Sequence, residues 1–302
     1  MSEGPEVKIV ADKILQAVVN TSIEDIKCNK LDQQMKNKIL HSKVKTVKTY
    51  GKNIVIKFSS IYLRNHMMMW GKWRIYDRKE FYDGVARPPP RKIYLNNSKD
   101  ANTTSTIKKK IESLDVRKDK RIRLIITTAN KVLIEFNGPI LEFSTYDPSL
   151  RPPISLLGPD GLDQNYDKNK VISNLISKSK SSPNLSISEC LLDQQVIAGI
   201  GNKYKSEILF LNEIYPFRKI LFLSDNELDE LATSIPNVLN MGYKNSGSTV
   251  SSSLNGKKQS QNSRHWVFRR SGKECLKCGT KITSERTITK RQTFWCPKCQ
   301  AK

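Results

Sequence analysis

The chain has 302 residues, room for two domains each with its own core, and its 37% hydrophobic and 27% charged composition is that of a soluble globular protein. Fifty-two Lys and Arg against 29 Asp and Glu leave a formal charge of +23, an excess that calls for a polyanionic partner, most commonly nucleic acid. No apolar run approaches the roughly 18 residues of a membrane span, no basic amphipathic helix stands out, and Glu3, Glu6 and Lys8 stand where a secretory signal needs an apolar core. A membrane partner is thereby excluded and a soluble intracellular protein in a reducing compartment is expected, with cytoplasmic, nuclear and viral settings left undistinguished.

The chain starts Met1-Ser2-Glu3-Gly4-Pro5-Glu6. A methionine before a small residue is commonly trimmed, which leaves the α-amine of Ser2 as the terminus. Such an amine titrates near 7.7–8.0, so a fraction of about a tenth is an uncharged nucleophile near neutral pH, far more than for a lysine. Gly4-Pro5 forces a turn between Glu3 and Glu6. A primary amine beside carboxylates can attack an aldehyde-like carbon and form a Schiff base while the carboxylates move protons. Taken alone, the same six residues fit a frayed terminus with solvated acids better than a nucleophile. Behind them Val7, Val10, Ala11, Ile14, Leu15 and Val18 recur at helical spacing, with Pro5 in the first turn.

From Thr21 to Phe143 the pattern is mostly strand. Runs at 22–28, 44–49, 53–58, 61–63, 73–76, 121–127 and 132–136 are rich in β-branched residues and broken by Gly, Asn and Lys. No βαβ alternation occurs, so an antiparallel sandwich is predicted. Residues 86–120 are polar and irregular and read as an insertion that lengthens a loop. Pro152-Pro153 and Gly158-Pro159-Asp160-Gly161 mark a linker. Helices are predicted at about 168–180 and across 186–243, followed by a Ser/Asn/Gln/Gly/Lys-rich loop at 244–264. The domain boundaries expected from this are 1–150, 151–264 and 265–302.

Cys275-x2-Cys278 and Cys296-x2-Cys299 have the spacing of a four-thiolate zinc site, two turns each aiming two sulfurs at one tetrahedral ion. Four cysteines close the coordination shell, so one structural Zn2+ is expected. Cys28 and Cys190 stand alone and read as buried thiols. Between the cysteine pairs lie Lys277, Lys281, Arg286, Lys290 and Arg291, a basic hairpin suited to backbone phosphates. Residues 189–210 (Glu-Cys-Leu-Leu-Asp-Gln-Gln-Val-Ile-Ala-Gly-Ile-Gly-Asn-Lys-Tyr-Lys-Ser-Glu-Ile-Leu-Phe) read as helix, two-turn connector, helix. Gly199 and Gly201 permit the tight turn, Asn202 begins the second helix, and the N–H groups of that helix start are candidates for phosphate binding.

Taken together, the starting Glu-Gly-Pro-Glu, the Leu-Leu-Asp-Gln-Gln-Val-Ile-Ala-Gly-Ile-Gly-Asn helix–two-turn–helix and a terminal four-cysteine hairpin ending Cys299-Gln300 resemble the Fpg/Nei family, the formamidopyrimidine-DNA glycosylases and endonuclease VIII enzymes of base-excision repair. The resemblance spans the chain except for the 86–120 insertion and the loop before the cysteines. It implies an α+β protein: an N-terminal antiparallel β-sandwich with flanking helices, then a helical helix–two-turn–helix domain with a zinc finger. It implies a monomer acting on damaged DNA, double- or single-stranded, as a bifunctional glycosylase and abasic-site lyase.

By the same resemblance Ser2 is the nucleophile, Glu3 moves the proton at the sugar and Glu6 supports it. Lys52, on the turn before a strand, contacts the phosphate beside the damaged nucleotide. Asn202 grips phosphate, and Arg291, five residues before Cys296, clamps the phosphates around the flipped-out nucleotide. Met68, Met69 and Trp70, just before Gly71, resemble the endonuclease VIII loop whose bulky side chains fill the gap left by the extruded base. Ser2 departs from the family's usual proline: a serine imine must be kept protonated to act as an electron sink, whereas a proline iminium is permanently charged. The rival reading is a lesion- or abasic-site-binding protein that kept the fold and lost the chemistry.

Overall fold

Val7, Ala11, Ile14 and Val18 recur three or four residues apart, and all four are buried in the computed structural model of the chain, where Gly4–Val18 forms helix α1. The structure describes residues 2–19, 21–90, 115–250, 263–286 and 291–301. Most of the 86–120 insertion, positions 251–262 of the Ser/Asn-rich loop and Lys290 lie outside the described residues. Two compact units are formed, one from Val10–Lys48 and Val55–Asp147, the other from Ser2–Ile9, Thr49–Ile54 and Pro148–Lys302. Among the described residues no helix is long and apolar enough to cross a membrane.

The first unit is the antiparallel β-sandwich that the β-branched runs predicted. In chain order it carries β1 (Ile23–Lys27), α2 (Gln33–Ile39), β2 (Thr46–Tyr50), β3 (Asn53–Lys57), β4 (Tyr62–His66), β5 (Lys72–Asp77), α3 (Arg78–Tyr82), β6 (Ile122–Thr128), β7 (Lys131–Phe136) and β8 (Ile140–Ser144), the end of β2 and the start of β3 being assigned to the second unit. One sheet has the order β1-β6-β7-β5 and the other β2-β3-β4-β8. Register is explicit in pairs such as Trp73 with Glu135 and Leu63 with Phe143. Strand β7 is buried on both faces because Val132, Ile134 and Phe136 pack with Phe81 and Val116, a layer outside the sheet.

Two helices in this region interrupt the expected strand pattern. In α2 only Ile39 is buried, so the segment carries no apolar period, and it starts where Asp32 accepts the Met35 N–H (2.8 Å). The short α3 contributes Phe81 to the outer layer.

In the second unit α4 (Lys168–Ser181), α5 (Ile187–Cys190), α6 (Asn202–Leu211) and α7 (Asp225–Lys244) surround a core of Leu175, Ile187, Leu191, Ile208, Leu231 and Leu239. The 186–243 region is therefore less continuously helical than expected. Capping boxes at Ser186/Glu189 and Ser224/Glu227 start separate helices, and irregular turns connect them. Strands β9 (Thr283–Arg286) and β10 (Gln292–Trp295) form a hairpin beside the cysteines.

Candidate active site

The two-turn connector before α6 is where the terminal turn and the β2–β3 turn meet, all within the second unit. Gly199 takes a left-handed conformation (φ +87°), and its carbonyl accepts the Gly4 N–H at 2.8 Å. Gly51 (φ +56°) donates its N–H to Asp160 Oδ2 at 2.7 Å. A β-carbon on Gly51 would sit 3.1 Å from Ala198 Cβ, which adds a steric reason for glycine there. The next residue, Lys52, donates from Nζ to the carbonyl of Ile200. Gln194 ties the connector to itself, donating to that same carbonyl (2.9 Å) and accepting the Gly199 N–H (3.1 Å).

Glu3 is 1% exposed. Its carboxylate accepts three backbone N–H groups at the start of α6: Gly201 (3.0 Å) and Tyr204 (3.1 Å) on Oε2, Lys203 (2.9 Å) on Oε1. These are the orphan donors of a helix N-terminus, and the positive end of the helix dipole favours the anion. Here the structure narrows the expectation that this helix start binds phosphate through its N–H groups: those of Gly201, Lys203 and Tyr204 are already taken by the protein's own carboxylate.

Glu6 accepts the backbone N–H of Glu3 on Oε2 (3.2 Å), while its Oε1 is ion-paired with Lys203 Nζ and accepts the Tyr204 hydroxyl (3.1 Å). The residue that follows Ser2 is thus held at both its amide and its carboxylate. Ser2 itself is half-buried.

Lys52 lies close enough to feel the charges of Glu3 and Arg291. Burial lowers its ammonium to about 8, Glu3 opposing the shift and Arg291 adding to it. Asn202, the first residue of α6, donates from Nδ2 to the Gln292 carbonyl (2.7 Å) at the start of β10. Arg291, exposed, directly precedes that strand. Glu3, Glu6, Lys52, Asn202 and Arg291 are thus brought to one region of the second unit. Lys281 and Arg286 are exposed on the cysteine-bearing hairpin, whereas Lys277 pairs with Glu213 (3.2 Å).

Met68, Met69 and Trp70 belong to the first unit, in the turn between β4 and β5. They are 46%, 57% and 44% exposed, whereas Met67 is buried in the core. The turn closes through Gly71 N–H to Met67 O (2.8 Å). A β-carbon at position 71 would lie 2.6 Å from that oxygen, so a glycine is required for the turn that presents the three side chains to solvent.

The sulfur atoms of Cys275, Cys278, Cys296 and Cys299 lie within 4.8 Å of one another. The Cys275–Cys299 and Cys278–Cys296 separations are 3.9 and 3.4 Å, bracketing the edge of about 3.8 Å for a tetrahedron with metal–sulfur bonds of about 2.3 Å. The Cys296 N–H is held by Gln300 Oε1 (3.0 Å), and Gln300 Nε2 reaches the Ile214 carbonyl (2.8 Å), so the ligand turn is fastened to the helical core. The donor set and its geometry fit a metal ion.

Residues 1–137 match the family model of the formamidopyrimidine-DNA glycosylase N-terminal domain, and residues 157–253 match that of the formamidopyrimidine-DNA glycosylase H2TH domain. The chain belongs to the Fpg/Nei family. Endonuclease 8 of Klebsiella pneumoniae is 26% identical over 304 residues, spanning 99% of this chain and 100% of that one. Formamidopyrimidine-DNA glycosylase of Prochlorococcus marinus is 42% identical over 146 residues, but the match spans only 48% of each protein. In fold, the chain is similar to Lactococcus lactis formamidopyrimidine-DNA glycosylase, solved bound non-covalently to DNA containing an abasic site, with a TM-score of 0.73, 23% identity and 100% of both chains covered.

Several residues that organise this Fpg/Nei site have no sequence motif of their own. Asp160, read only as part of a linker, holds Gly51. Lys203 and Lys205 are buried in α6, where charged side chains are not expected. Glu207, wholly buried, accepts the backbone N–H groups of Trp266 (2.8 Å), Val267 (3.0 Å) and Phe268 (2.9 Å) and thereby sets the entry to the cysteine hairpin. The available signal for Asp160 was its place in Gly-Pro-Asp-Gly, a turn that side-chain acceptors commonly stabilise.

Proposed function

We propose that this protein is a bifunctional DNA glycosylase and abasic-site lyase that removes oxidised bases through a Schiff base on Ser2. The observation that carries the reading is the anchoring of Glu3: a buried carboxylate, fixed by three amides, sets the position of the residue beside it in a region where the Lys52 and Arg291 charges converge. With Met1 removed, the Ser2 amine bonds to C1′ of the flipped-out nucleotide. The glycosidic bond breaks, its electron pair leaving with the base, which takes up a proton. Opening of the sugar ring gives the protonated imine. A base, for which Glu3 is the candidate, then takes the C2′ proton while the C–H electron pair flows into the imine, and the resulting enamine expels the 3′ phosphate with the C3′–O bond pair.

Glu3 serves the proton transfers at the sugar, and Glu6, through its bond to the Glu3 N–H, keeps the terminal turn in place. Lys52, Asn202 and Arg291 hold the phosphates and act by positioning. Met68, Met69 and Trp70 fill the gap in the stack. One Zn2+, held by Cys275, Cys278, Cys296 and Cys299, organises the hairpin that carries Arg291. The substrate is damaged DNA and the protein acts as a monomer.

Borohydride reduction with DNA containing one abasic site tests the reading. Ser2 chemistry traps a covalent complex whose mass places the DNA on the N-terminal peptide. A protein that only binds such sites would retard the DNA without trapping it. Intact-mass measurement showing Met1 retained or the amine acetylated would equally rule the nucleophile out.

A further inference from the structure

Lys205 has no part in the chemistry above, yet it is one of the largest fully buried side chains. Among the described residues its ammonium has two hydrogen-bond acceptors, Asn202 Oδ1 and Thr293 Oγ1, each at 2.8 Å, and both are neutral. A buried charge without a carboxylate partner is costly to a fold and is kept where it serves a site. Burial lowers this ammonium to about 8, Glu3 and Glu189 opposing the shift and Arg291 adding to it.

The consequence falls on Asn202. Because Lys205 is a donor only, the atom facing it must be the amide oxygen, and Nδ2 is turned the other way. One Nδ2 N–H goes to the Gln292 carbonyl, which leaves the second uncommitted among the described residues. Thr293, the other acceptor, is the second residue of β10, two positions after Arg291. The buried ammonium and the Gln292 carbonyl thus grip the Asn202 amide from its two ends, and the ammonium also ties α6 to the strand that follows Arg291.

We propose that Lys205 is a DNA-positioning residue, fixing the Asn202 amide as a phosphate donor in register with Arg291. The proposal rests on the reading of Asn202 as a phosphate contact.

The test is a double-mutant cycle on the full-length zinc-loaded protein, with a duplex carrying one tetrahydrofuran abasic-site analogue as the probe. Asn202→Ala and Lys205→Met are each expected to weaken binding about tenfold, and Lys205→Met by less than about twofold when Asn202 is already alanine. Equal loss in both backgrounds, or no loss from Lys205→Met while Asn202→Ala is defective, overturns the positioning role alone. Wild-type binding by Asn202→Ala overturns the phosphate-contact reading and the proposal with it. Zinc content and thermal midpoint are measured for each variant. Should Lys205→Met not fold, Thr293→Val keeps the ammonium and removes its tie to the hairpin. It is expected to weaken binding about threefold, again only when Asn202 is present; a loss independent of Asn202, or none, overturns the proposal.

Discussion

The carboxyl carbon of Glu3 lies 2.4 Å from the place a β-carbon on Gly201 would take. Position 201 is extended (φ −126°), a conformation any residue adopts, so it is the space and not the backbone angle that requires glycine. Gly201→Ala therefore pushes Glu3 off the three amides it caps. The expected cost is about 2–4 kcal/mol, because both a buried carboxylate and the first turn of α6 lose their partners. Borohydride trapping should fall by more than tenfold. Gly272→Ala is the control: nothing lies within 4 Å of its β-carbon, and only the strain of φ +78° is expected, about 1 kcal/mol. Urea unfolding of the two variants that ranked them equally would contradict the steric account.

What the sequence showed and hid follows from how each feature is encoded. The cysteine quartet and the glycines around Asn202 were legible because ligand spacing and tight turns act over a few residues. The β-sandwich was legible because β-branched runs recur. Lys205 was not: in a chain with 52 Lys and Arg, a lysine gives no sign of being buried until α6 is surrounded. The capping role of Glu3 was hidden for a related reason, since its partners lie about 200 positions away. Helix α2 was missed because only Ile39 is buried, although Asp32 as its cap was readable.

Lys52 should make stability depend on alkaline pH. Its ordinary value of 10.5 is lowered to about 8 in the folded protein, chiefly by burial. Between those values the unfolded chain binds the proton and the folded one does not, so stability rises with pH across that window. Below about 8 the penalty for the buried charge is fully present. Relative to Lys52→Met, the wild type is expected to gain about 2–3 kcal/mol between pH 7 and pH 10. Denaturant unfolding of both proteins at the two pH values checks this. Parallel changes in the two would show that Lys52 is not the group responsible.

Removing the metal should detach the hairpin while leaving the helical core folded. Phe210, Val267, Ile282 and Phe294 pack with Cys275 and Cys296, a cluster separate from the one around Leu175, Leu231 and Leu239. Elemental analysis is expected to give one zinc per chain, and Cys296→Ser or chelation to abolish it. DNA binding should then weaken by at least about tenfold, because Arg291 and the Asn202–Gln292 contact both depend on the hairpin. Limited proteolysis should cut within 265–302 first. Unchanged binding by the metal-free protein would remove the hairpin from the DNA-binding account.

The wedge role proposed for Met68, Met69 and Trp70 should separate duplex from single-stranded substrates. The three side chains are only about half exposed, so replacing Met69 and Trp70 by alanine should change stability by about 1 kcal/mol or less per site. Their expected contribution appears only when a base must leave a stack, a step costing a few kcal/mol that inserted apolar groups offset. Strand cleavage at an abasic site in a duplex should therefore slow about 10- to 100-fold in the double variant, since each 1.4 kcal/mol is a factor of ten. Cleavage of the same site in single-stranded DNA, where no stack has to be opened, should stay within about twofold of the wild type. Single-turnover rates on the two substrates make the comparison. Equal slowing on both would mean that the turn serves binding in general and not the opening of the stack.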